Sequence, residues 1–245
     1  MVNKLAIIAV IGLTGSAVCM GAAAALGGRE FGKGFGDGMD FSMFGDRPRC
    51  ERVQDASTTS RDLEWDGSDH FSLAVPGHAS YTPGSGNKVH VTGDGQMLAH
   101  LRVRDGRLEL DCRNWRGDSD ALTITLPGQE FQKFGIAGSG NLVLQNLNQE
   151  RLKFSIAGSG NIKAEGKVEH ADIHIAGSGD VDLGHVQSRV TEVHIAGSGN
   201  TDIAPTDEAE IHIAGSGDVN LRSNPKKLET HIAGSGRIHN LYSGG

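Results

Sequence analysis

The sequence predicts an all-β fold: a single-stranded parallel β-helix, or solenoid, with coils of about 19 residues. Three observations lead to this prediction: an internal repeat, an apolar–polar alternation within each repeat, and a glycine-rich corner at a fixed place in it. The string Ile-Ala-Gly-Ser-Gly occurs six times at spacings of 18 to 20 residues, starting at Ile136, Ile156, Ile175, Ile195, Ile213 and Ile232. Six identical copies at nearly one period indicate a repeat architecture rather than chance.

One repeat, residues 172–183, shows how each unit is built. Ile173 and Ile175 alternate with polar neighbours, and the second half alternates in the same way, so each half predicts a strand with one apolar face. Gly177–Gly179 predicts a corner between them, because glycine adopts the backbone angles of a sharp bend without strain. A unit this short cannot enclose a core alone. We therefore expect the units to stack, each strand pairing in parallel with its counterpart about 4.8 Å away.

A polar residue follows each corner, and stacking would align these residues as a ladder along the β-helix. Stacked amides hydrogen-bond to one another in such a column. The position holds Asn141, Asn161, Asp180, Asn200 and Asp218, and Arg237 ends the run. Length differences between repeats fall after the second strand, as in residues 184–191. An earlier Pro-Gly-Ser-Gly-Asn segment, Pro83–Asn87, predicts a diverged copy.

Upstream of the repeats, short alternating segments predict strands separated by Gly, Pro and Asp. These segments are Phe71–Val75, Lys88–Val91, Leu98–Val103, Arg107–Leu110 and Ala121–Leu126. No helix longer than one turn is expected after the N-terminal 28 residues. We therefore assign residues 62–241 to one β-helix domain, with clear repeats at 131–241, and residues 242–245 to a tail.

Residues 1–28 predict a targeting segment. Lys4 is the one charge before a long apolar run, Leu5 to Gly28, and Ala22–Ala24 fits the small residues of a signal-peptide cleavage site. The run is also long enough to span a bilayer as one helix, so a cleaved signal peptide and a retained N-terminal membrane anchor are both open. Residues 29–61 predict a flexible linker, because a Gly-rich and polar stretch buries too little apolar surface to offset ordering.

Composition limits the classes of function. The formal net charge of −7 at neutral pH argues against a nucleic-acid-binding surface, which is usually basic. Aromatic residues make up only 5% of the chain, so aliphatic side chains must fill most of the core. Cys50 and Cys112 both follow the targeting segment. One disulfide or two unpaired thiols are equally compatible with an exported chain.

These features resemble a known family. The repeated Gly-Ser-Gly-Asn/Asp corners, the Leu122–Pro127 strand and the Phe71–Pro76 segment are similar to the "putative auto-transporter adhesin, head GIN domain" family. The resemblance covers roughly residues 62–241. It implies a β-helical fold, an exported location and no established biochemical activity, and the family has no catalytic residues to transfer to this chain.

Four consecutive repeats carry an acidic residue two positions before a histidine, on the face expected to point outward. Stacking in register would align them as a carboxylate column, formed by Asp172, Glu192, Glu210 and Glu229, beside an imidazole column, formed by His174, His194, His212 and His231. Such ligands suit Zn²⁺, Ni²⁺ or Cu²⁺, so the columns predict a transition-metal site. The alternative is that duplication copied polar residues at outward strand positions, since flat ladders rarely offer tetrahedral geometry.

The function predicted from these features is a non-enzymatic β-helix module of the cell envelope, in the periplasm or on the cell surface. Its role would be structural, or an adhesin-like interaction with an envelope protein or a glycan. The alternative is a ligand-binding module that holds transition metals on the histidine–carboxylate face. No enzymatic activity or cofactor is expected, because repeats that differ by two residues in length offer no insertions to build a cleft. No nucleic-acid partner is expected. The edge of the last coil is open to two interpretations: Arg237 and His239 cap it with charge, or it is a surface for end-to-end self-association.

Overall fold

The computed structural model of the chain describes residues 47–54, 56–113, 115 and 122–242. The predicted targeting segment, most of the predicted linker and residues 243–245 of the predicted tail lie outside the described residues. All described residues belong to one unit, Phe44–Gly245. Within the described ranges, no helix has the length and apolar character needed to cross a membrane.

The described residues form sixteen strands of one continuous sheet and one short helix. The first part contains β1 (Ser60–Glu64), β2 (His70–Leu73), β3 (Gly77–Tyr81), β4 (Lys88–Thr92), α1 (Gly95–Ala99), β5 (Leu101–Arg104), β6 (Arg107–Leu110) and β7 (Leu122–Thr125). The second part contains β8 (Lys133–Gly138), β9 (Asn141–Gly158), β10 (Asn161–Gly177), β11 (Asp180–Gly197), β12 (Thr201–Ile203), β13 (Pro205–Gly215), β14 (Val219–Leu221), β15 (Lys227–Gly234) and β16 (Ile238–Asn240).

The six repeat copies lie directly on one another. They occupy β8, β9, β10, β11, β13 and β15, and each pairs in parallel with the next. Their first residues are partners down the stack, in the order Ile136, Ile156, Ile175, Ile195, Ile213 and Ile232. The predicted all-β parallel solenoid, with one repeat per coil, is confirmed.

A seventh rung precedes the six copies, but not where the sequence suggested it. Leu73 on β2 pairs with Ile136, and His78 on β3 pairs with Asn141, so Leu73–Gly77 occupies the place of the repeated string. The prediction of a diverged copy at Pro83–Asn87 is therefore wrong. That segment forms the loop between β3 and β4.

Inward-pointing side chains of successive coils form continuous columns. The column two residues before the repeated isoleucines holds Phe71, Phe134, Phe154, Ile173, Val193, Ile211 and Thr230. All of these except Thr230 are buried. The aromatic residues thus collect at the N-terminal end, where the ring of Phe131 lies 5.3–5.5 Å from the rings of Trp65, Tyr81 and Phe134.

The corner glycines allow neighbouring coils to approach to one strand spacing. Gly197 has a φ of 137°, and a Cβ atom there would lie 2.1 Å from the carbonyl oxygen of Gly177. The positive φ disfavours any other residue, and the short distance leaves no room for a side chain. Glycine is therefore required at this corner by the close contact between coils as well as by the bend that the sequence predicted.

The polar ladder beside the corners is formed as predicted. Asn161 Nδ2 donates to Asn141 Oδ1 at 2.9 Å, and Asn200 Nδ2 donates to Asp180 Oδ1 at 3.0 Å. The ladder ends at Arg237, whose backbone N–H donates to Asp218 Oδ1 of the preceding coil at 2.9 Å. The amide and carboxylate groups of this column thus hold successive coils in register.

Differences in repeat length fall where the sequence suggested. The pairing register shifts between Asp182 and His185, and again between Ser188 and Val190. Both positions follow the second strand of the coil. The one- or two-residue differences are thus taken up as bulges and leave the repeated strands aligned.

Two strands that pair in parallel with the first coil, and antiparallel strands beyond them, cover the N-terminal end of the β-helix. The outer edge of β3 pairs with β7, which continues through antiparallel β4 to β1. The outer edge of β2 pairs with β6, which is antiparallel to β5. We call β1, β4, β5, β6, β7 and α1 the N-terminal cap.

Helix α1 replaces part of a predicted strand. The sequence predicts a strand over Leu98–Val103 and no helix longer than a turn, but α1 has five residues, Gly95–Ala99. Asp94 caps the helix by accepting a hydrogen bond from Met97 N at 3.0 Å. Met97 and Leu98 are both buried, which a helical turn permits and a strand with one buried face does not.

Cys50 and Cys112 form a disulfide, which resolves the two alternatives left open by the sequence. Around it, Cys50 N donates to Arg113 O at 3.1 Å, and Arg113 N donates to Pro48 O at 2.8 Å. Residues 47–54 and 56–61 overlap the end of the predicted linker, and β1 begins at Ser60, two residues before the predicted boundary. The disulfide thus joins this segment to the N-terminal cap.

Candidate functional site

The eight residues singled out by the sequence lie on β10, β11, β13 and β15. Parallel pairing places the acidic residues in one line, Asp172, Glu192, Glu210 and Glu229, which we call the acidic column. It places the histidines in a second line, His174, His194, His212 and His231, which we call the histidine column. The structure therefore brings the predicted residues together in the predicted register.

The imidazole rings of the histidine column stack face to face. Successive ring centroids are 4.8, 4.9 and 4.8 Å apart, and the ring planes differ by 4°, 10° and 4°. Although these side chains alternate with the inward isoleucines, His174 and His194 are buried, His212 is half-buried and only His231 is exposed. Stacking covers the ring faces, so an outward strand position does not leave these rings open to solvent.

Each of the first three histidines contacts the carboxylate two residues earlier on its own strand. The Nε2–carboxylate oxygen distances are 2.7 Å for His174, 2.5 Å for His194 and 2.8 Å for His212. The contact arises because residues i and i+2 of a strand lie on the same face. The last pair differs, since Glu229 contacts Lys227 Nζ at 2.8 Å.

The N-terminal end of both columns is closed by other residue types. Ser155 is buried at the position before His174, and Gly135 and Ser72 continue that line. Lys153 precedes Asp172 in the acidic column, and its Nζ lies 3.3 Å from Asp172 Oδ2. The columns therefore begin with an ion pair and a buried hydroxyl, and they end at the exposed last coil.

Three carboxyls of the acidic column, those of Asp172, Glu192 and Glu229, have pKa values below their ordinary range, which favours the ionised form. Burial opposes ionisation of Asp172, but the hydrogen bond and electrostatic attraction of His174, with those of Lys153, outweigh it, so the pKa of Asp172 lies below its ordinary value. The hydrogen bond from His194 is the main reason that the pKa of Glu192 is lowered, with burial again opposing. At the last coil, the hydrogen bond from Lys227 lowers the pKa of Glu229.

These lowered pKa values predict a loss of stability in acid. The ionised carboxyls stabilise the fold above the pKa that they have in the unfolded chain, and this contribution disappears as pH falls below about 4. We expect Asp172→Asn to lower the free energy of unfolding by about 1 kcal/mol at pH 7, allowing for partial solvent screening. The difference between the variant and the parent should shrink as pH falls from 5 to 3, toward the lowered pKa of Asp172. Urea unfolding at pH 7, 5, 4 and 3 measures both effects.

The matched control for Asp172→Asn is Glu150→Gln, which alters an exposed carboxyl outside the column. This variant should follow the parent at every pH to within about 0.5 kcal/mol. An Asp172→Asn variant whose stability falls between pH 5 and pH 3 as steeply as that of the parent would contradict the proposed role of the carboxylate.

The geometry of the histidine column differs from that of a convergent metal site. Parallel rings one strand apart direct their Nε2 atoms side by side, and three of these atoms already contact a carboxylate. Structural zinc prefers four donors arranged tetrahedrally around a point. The arrangement can therefore share protons and order carboxylates, while its use as a metal site stays a prediction.

The sequence did not indicate another cluster of ligand-type residues in the N-terminal cap. Ligand atoms of His100, Asp111 and Cys112 lie within 4.8 Å of one another, and no other such trio occurs among the residues described. Cys112 Sγ is bonded to Cys50. His100 Nδ1 lies 2.9 Å from Asp111 Oδ1, and its Nε2 lies 2.9 Å from Glu51 O. The cluster thus holds the cap together, and no spacing in the sequence signals it.

The chain is similar to several crystal structures, including three from Bacteroides and Parabacteroides. One, described as a putative adhesin from Bacteroides fragilis NCTC 9343, shares 18% identity over 74% of this chain and 96% of its own, with a TM-score of 0.59. Two are from Parabacteroides distasonis ATCC 8503. One is a putative lipid binding protein with 18% identity over 74% of this chain and 96% of its own, and a TM-score of 0.47. The other is a putative adhesin with 16% identity over 75% of this chain and 96% of its own, and also a TM-score of 0.47. The first similarity shows a shared fold.

The sequence of the coils matches a known protein family. A search of curated proteins finds no match to the chain. The family model described as "Putative auto-transporter adhesin, head GIN domain" matches residues 72–225, from β2 to beyond β14, and confirms the resemblance carried by the Gly-Ser-Gly corners. Since the match spans more than half of the sequence, the chain belongs to this adhesin-head GIN-domain family.

Proposed function

We propose that this chain is a non-enzymatic, adhesin-like module of the cell envelope that presents the sides of its β-helix to a protein or glycan partner. Membership of the adhesin-head family carries the proposal, because the match includes nearly all of the coils. The Bacteroides fragilis structure with the same fold is likewise described as a putative adhesin. An envelope location also agrees with the apolar run at Leu5 to Gly28, which suits a signal peptide or an anchor.

The lateral surface offers a repeating set of polar groups. The corner serines Ser178 and Ser198 are exposed, and they lie beside the Asn/Asp ladder. Equivalent groups on adjacent coils are separated by one strand spacing, as the 4.8–4.9 Å between stacked histidine rings illustrates. An extended, repetitive ligand such as a polysaccharide or a protein strand would meet the same group on each coil. Coils that differ by one or two residues leave little material for the walls of a catalytic cleft.

Cell fractionation and a binding screen test this proposal. The tagged full chain should be recovered in the envelope or on the surface, and it should bind saturably to one member of a panel of purified glycans and mucin. Recovery in the cytosol, or multiple-turnover cleavage of any polysaccharide in the panel, would overturn the proposal.

Two pairs of substitutions that change surface charge identify the binding face. Ser178→Arg with Ser198→Arg blocks the corner face, and Val143→Arg with Lys163→Glu changes a different lateral surface. We expect one pair to weaken binding by about tenfold or more while the other has little effect, since a bulky charge excludes the ligand from one face only. Binding that survives both pairs would contradict recognition through these sides of the β-helix.

Metal binding is a second candidate function, favoured by the four aligned imidazoles with their carboxylates. On this hypothesis, Zn²⁺, Ni²⁺ or Cu²⁺ should raise the melting temperature, because a ligand at 100 times its Kd stabilises the folded state by about 2.7 kcal/mol. His194→Ala with His212→Ala should abolish the rise. His185→Ala, which removes an exposed histidine outside the column, should retain it. The hypothesis fails if none of the three metals shifts the melting temperature of the parent.

A further inference from the structure

The C-terminal end of the β-helix has an open strand edge. Strand β15 pairs with β13, and β16 pairs with β14, and no described strand lies against their other edges. Leu228 and Ile232 occupy inward positions on β15, yet they are 43% and 44% exposed. An edge with open hydrogen-bonding groups and exposed apolar side chains is a template for another strand.

The N-terminal end does not offer a matching edge. Strands β6 and β7 cover the outer edges of β2 and β3, and antiparallel strands continue from both. A second copy therefore cannot extend the stack head to tail unless the N-terminal cap is displaced. Association through the open end must instead pair the same edge of both copies, with a two-fold axis between them.

We propose that two copies of this chain associate end to end, with β15 of one copy antiparallel to β15 of the other and Thr230 of each copy on the two-fold axis. Leu228 would then face Ile232 of the second copy on the inner side of the sheet. Glu229 would face His231 of the second copy on the outer side. Both apolar side chains become covered, and each acidic residue meets an imidazole across the interface.

The character of the side chains selects this register. A two-residue shift that centres the pair on Glu229 places two glutamates face to face and sets Lys227 against His231. A shift that centres it on His231 places two histidines together and leaves Leu228 opposite Gly234. Shifts by one residue turn the apolar side chains to the outer face. Of these alternatives, only the register centred on Thr230 pairs apolar side chains on the inner face and acidic residues with imidazoles on the outer face.

Two residues of the last coil, His231 and Thr230, also favour a second copy against the edge of β15. Counting only carboxylates of the described residues, His231 alone of the four histidines in the column has no carboxylate oxygen within 4.0 Å. Thr230 replaces the aliphatic or aromatic residue found at this inward position in every earlier coil. Facing threonines form favourable cross-strand pairs, whereas a threonine at the end of an apolar column otherwise exposes that column to water.

Sedimentation of the full chain over a range of concentrations tests the association. With rising concentration the parent should shift from the mass of one chain, which is 25.8 kDa for the full sequence, to the mass of two chains. Leu228→Glu should weaken the dimer at least about tenfold, because the new charge would be buried at the interface. Val143→Glu, which alters a side chain that is 41% exposed on the lateral surface, should leave dimerisation unchanged.

A cysteine crosslink tests the register. With Cys19 changed to serine, Thr230→Cys should give a disulfide-linked dimer under mild oxidation, and Leu228→Cys alone should not, since it would lie opposite Ile232. A single-chain mass at every concentration would overturn the proposal. So would open-ended filaments, a dimer that resists Leu228→Glu, or a crosslink from Leu228→Cys in place of Thr230→Cys. Unchanged circular dichroism in each variant ensures that a lost dimer reflects association rather than misfolding.

Discussion

Replacing Gly197 by alanine should destabilise the β-helix by at least about 3 kcal/mol. The residue has a φ of 137°, where an L side chain is strained, and the added Cβ would lie 2.1 Å from Gly177 O. The clash is with backbone of the neighbouring coil, so no change of side-chain rotamer can relieve it. Urea unfolding followed by far-ultraviolet circular dichroism measures the loss.

The control is Ser198→Ala at the next residue, which is exposed at the same corner. It should change the free energy of unfolding by no more than about 0.5 kcal/mol. If Gly197→Ala unfolds at the same urea concentration as Ser198→Ala, close contact between the corners does not stabilise the stack.

Removal of the disulfide should produce the second large effect. Changing both Cys50 and Cys112 to alanine opens a loop with a sequence separation of 62 residues. We expect stability to fall by about 4 kcal/mol, mainly because the unfolded cap gains conformational freedom. Trp65 is buried in the aromatic cluster beside the cap, so its fluorescence reports the affected region in a Trp115→Phe background.

Reduction of the parent with a dithiol provides an independent form of the same experiment. The reduced parent and the double alanine variant should unfold at similar urea concentrations, both well below that of the oxidised parent. Coincident Trp65 transitions for the oxidised and reduced parent would show that the crosslink adds nothing to the stability of the cap.

The coils were predictable because identical sequences stacked in register must occupy equivalent positions. The alignment of the six isoleucines, the ladder from Asn141 to Asp218 and the histidine column all follow from that condition. Alternation also identified the inward side chains correctly. It did not predict the burial of His174 and His194, because a two-residue period describes one strand and takes no account of rings that cover each other between strands.

The cap was less predictable because it does not repeat. Its antiparallel pairings join segments that are distant in sequence, such as β4 with β7, and no local pattern specifies such partners. The segment forms helix α1 in place of the predicted strand because Asp94 caps the helix and adjacent apolar residues are both buried in it. Likewise, the spacing of Cys50 and Cys112 does not show that their sulfur atoms meet, nor that His100 approaches Asp111.

One inward column begins with three phenylalanines and ends at Thr230, so the stability of the coils decreases from the N-terminal to the C-terminal end of the β-helix. Transfer of a side chain out of water stabilises the fold in proportion to its apolar area, so the aromatic coils contribute more than the last coil. Unfolding should therefore begin at the open tip and run toward the disulfide-linked base. A partner that seals the tip protects the part of the molecule that opens most readily, and a partner on the sides does not.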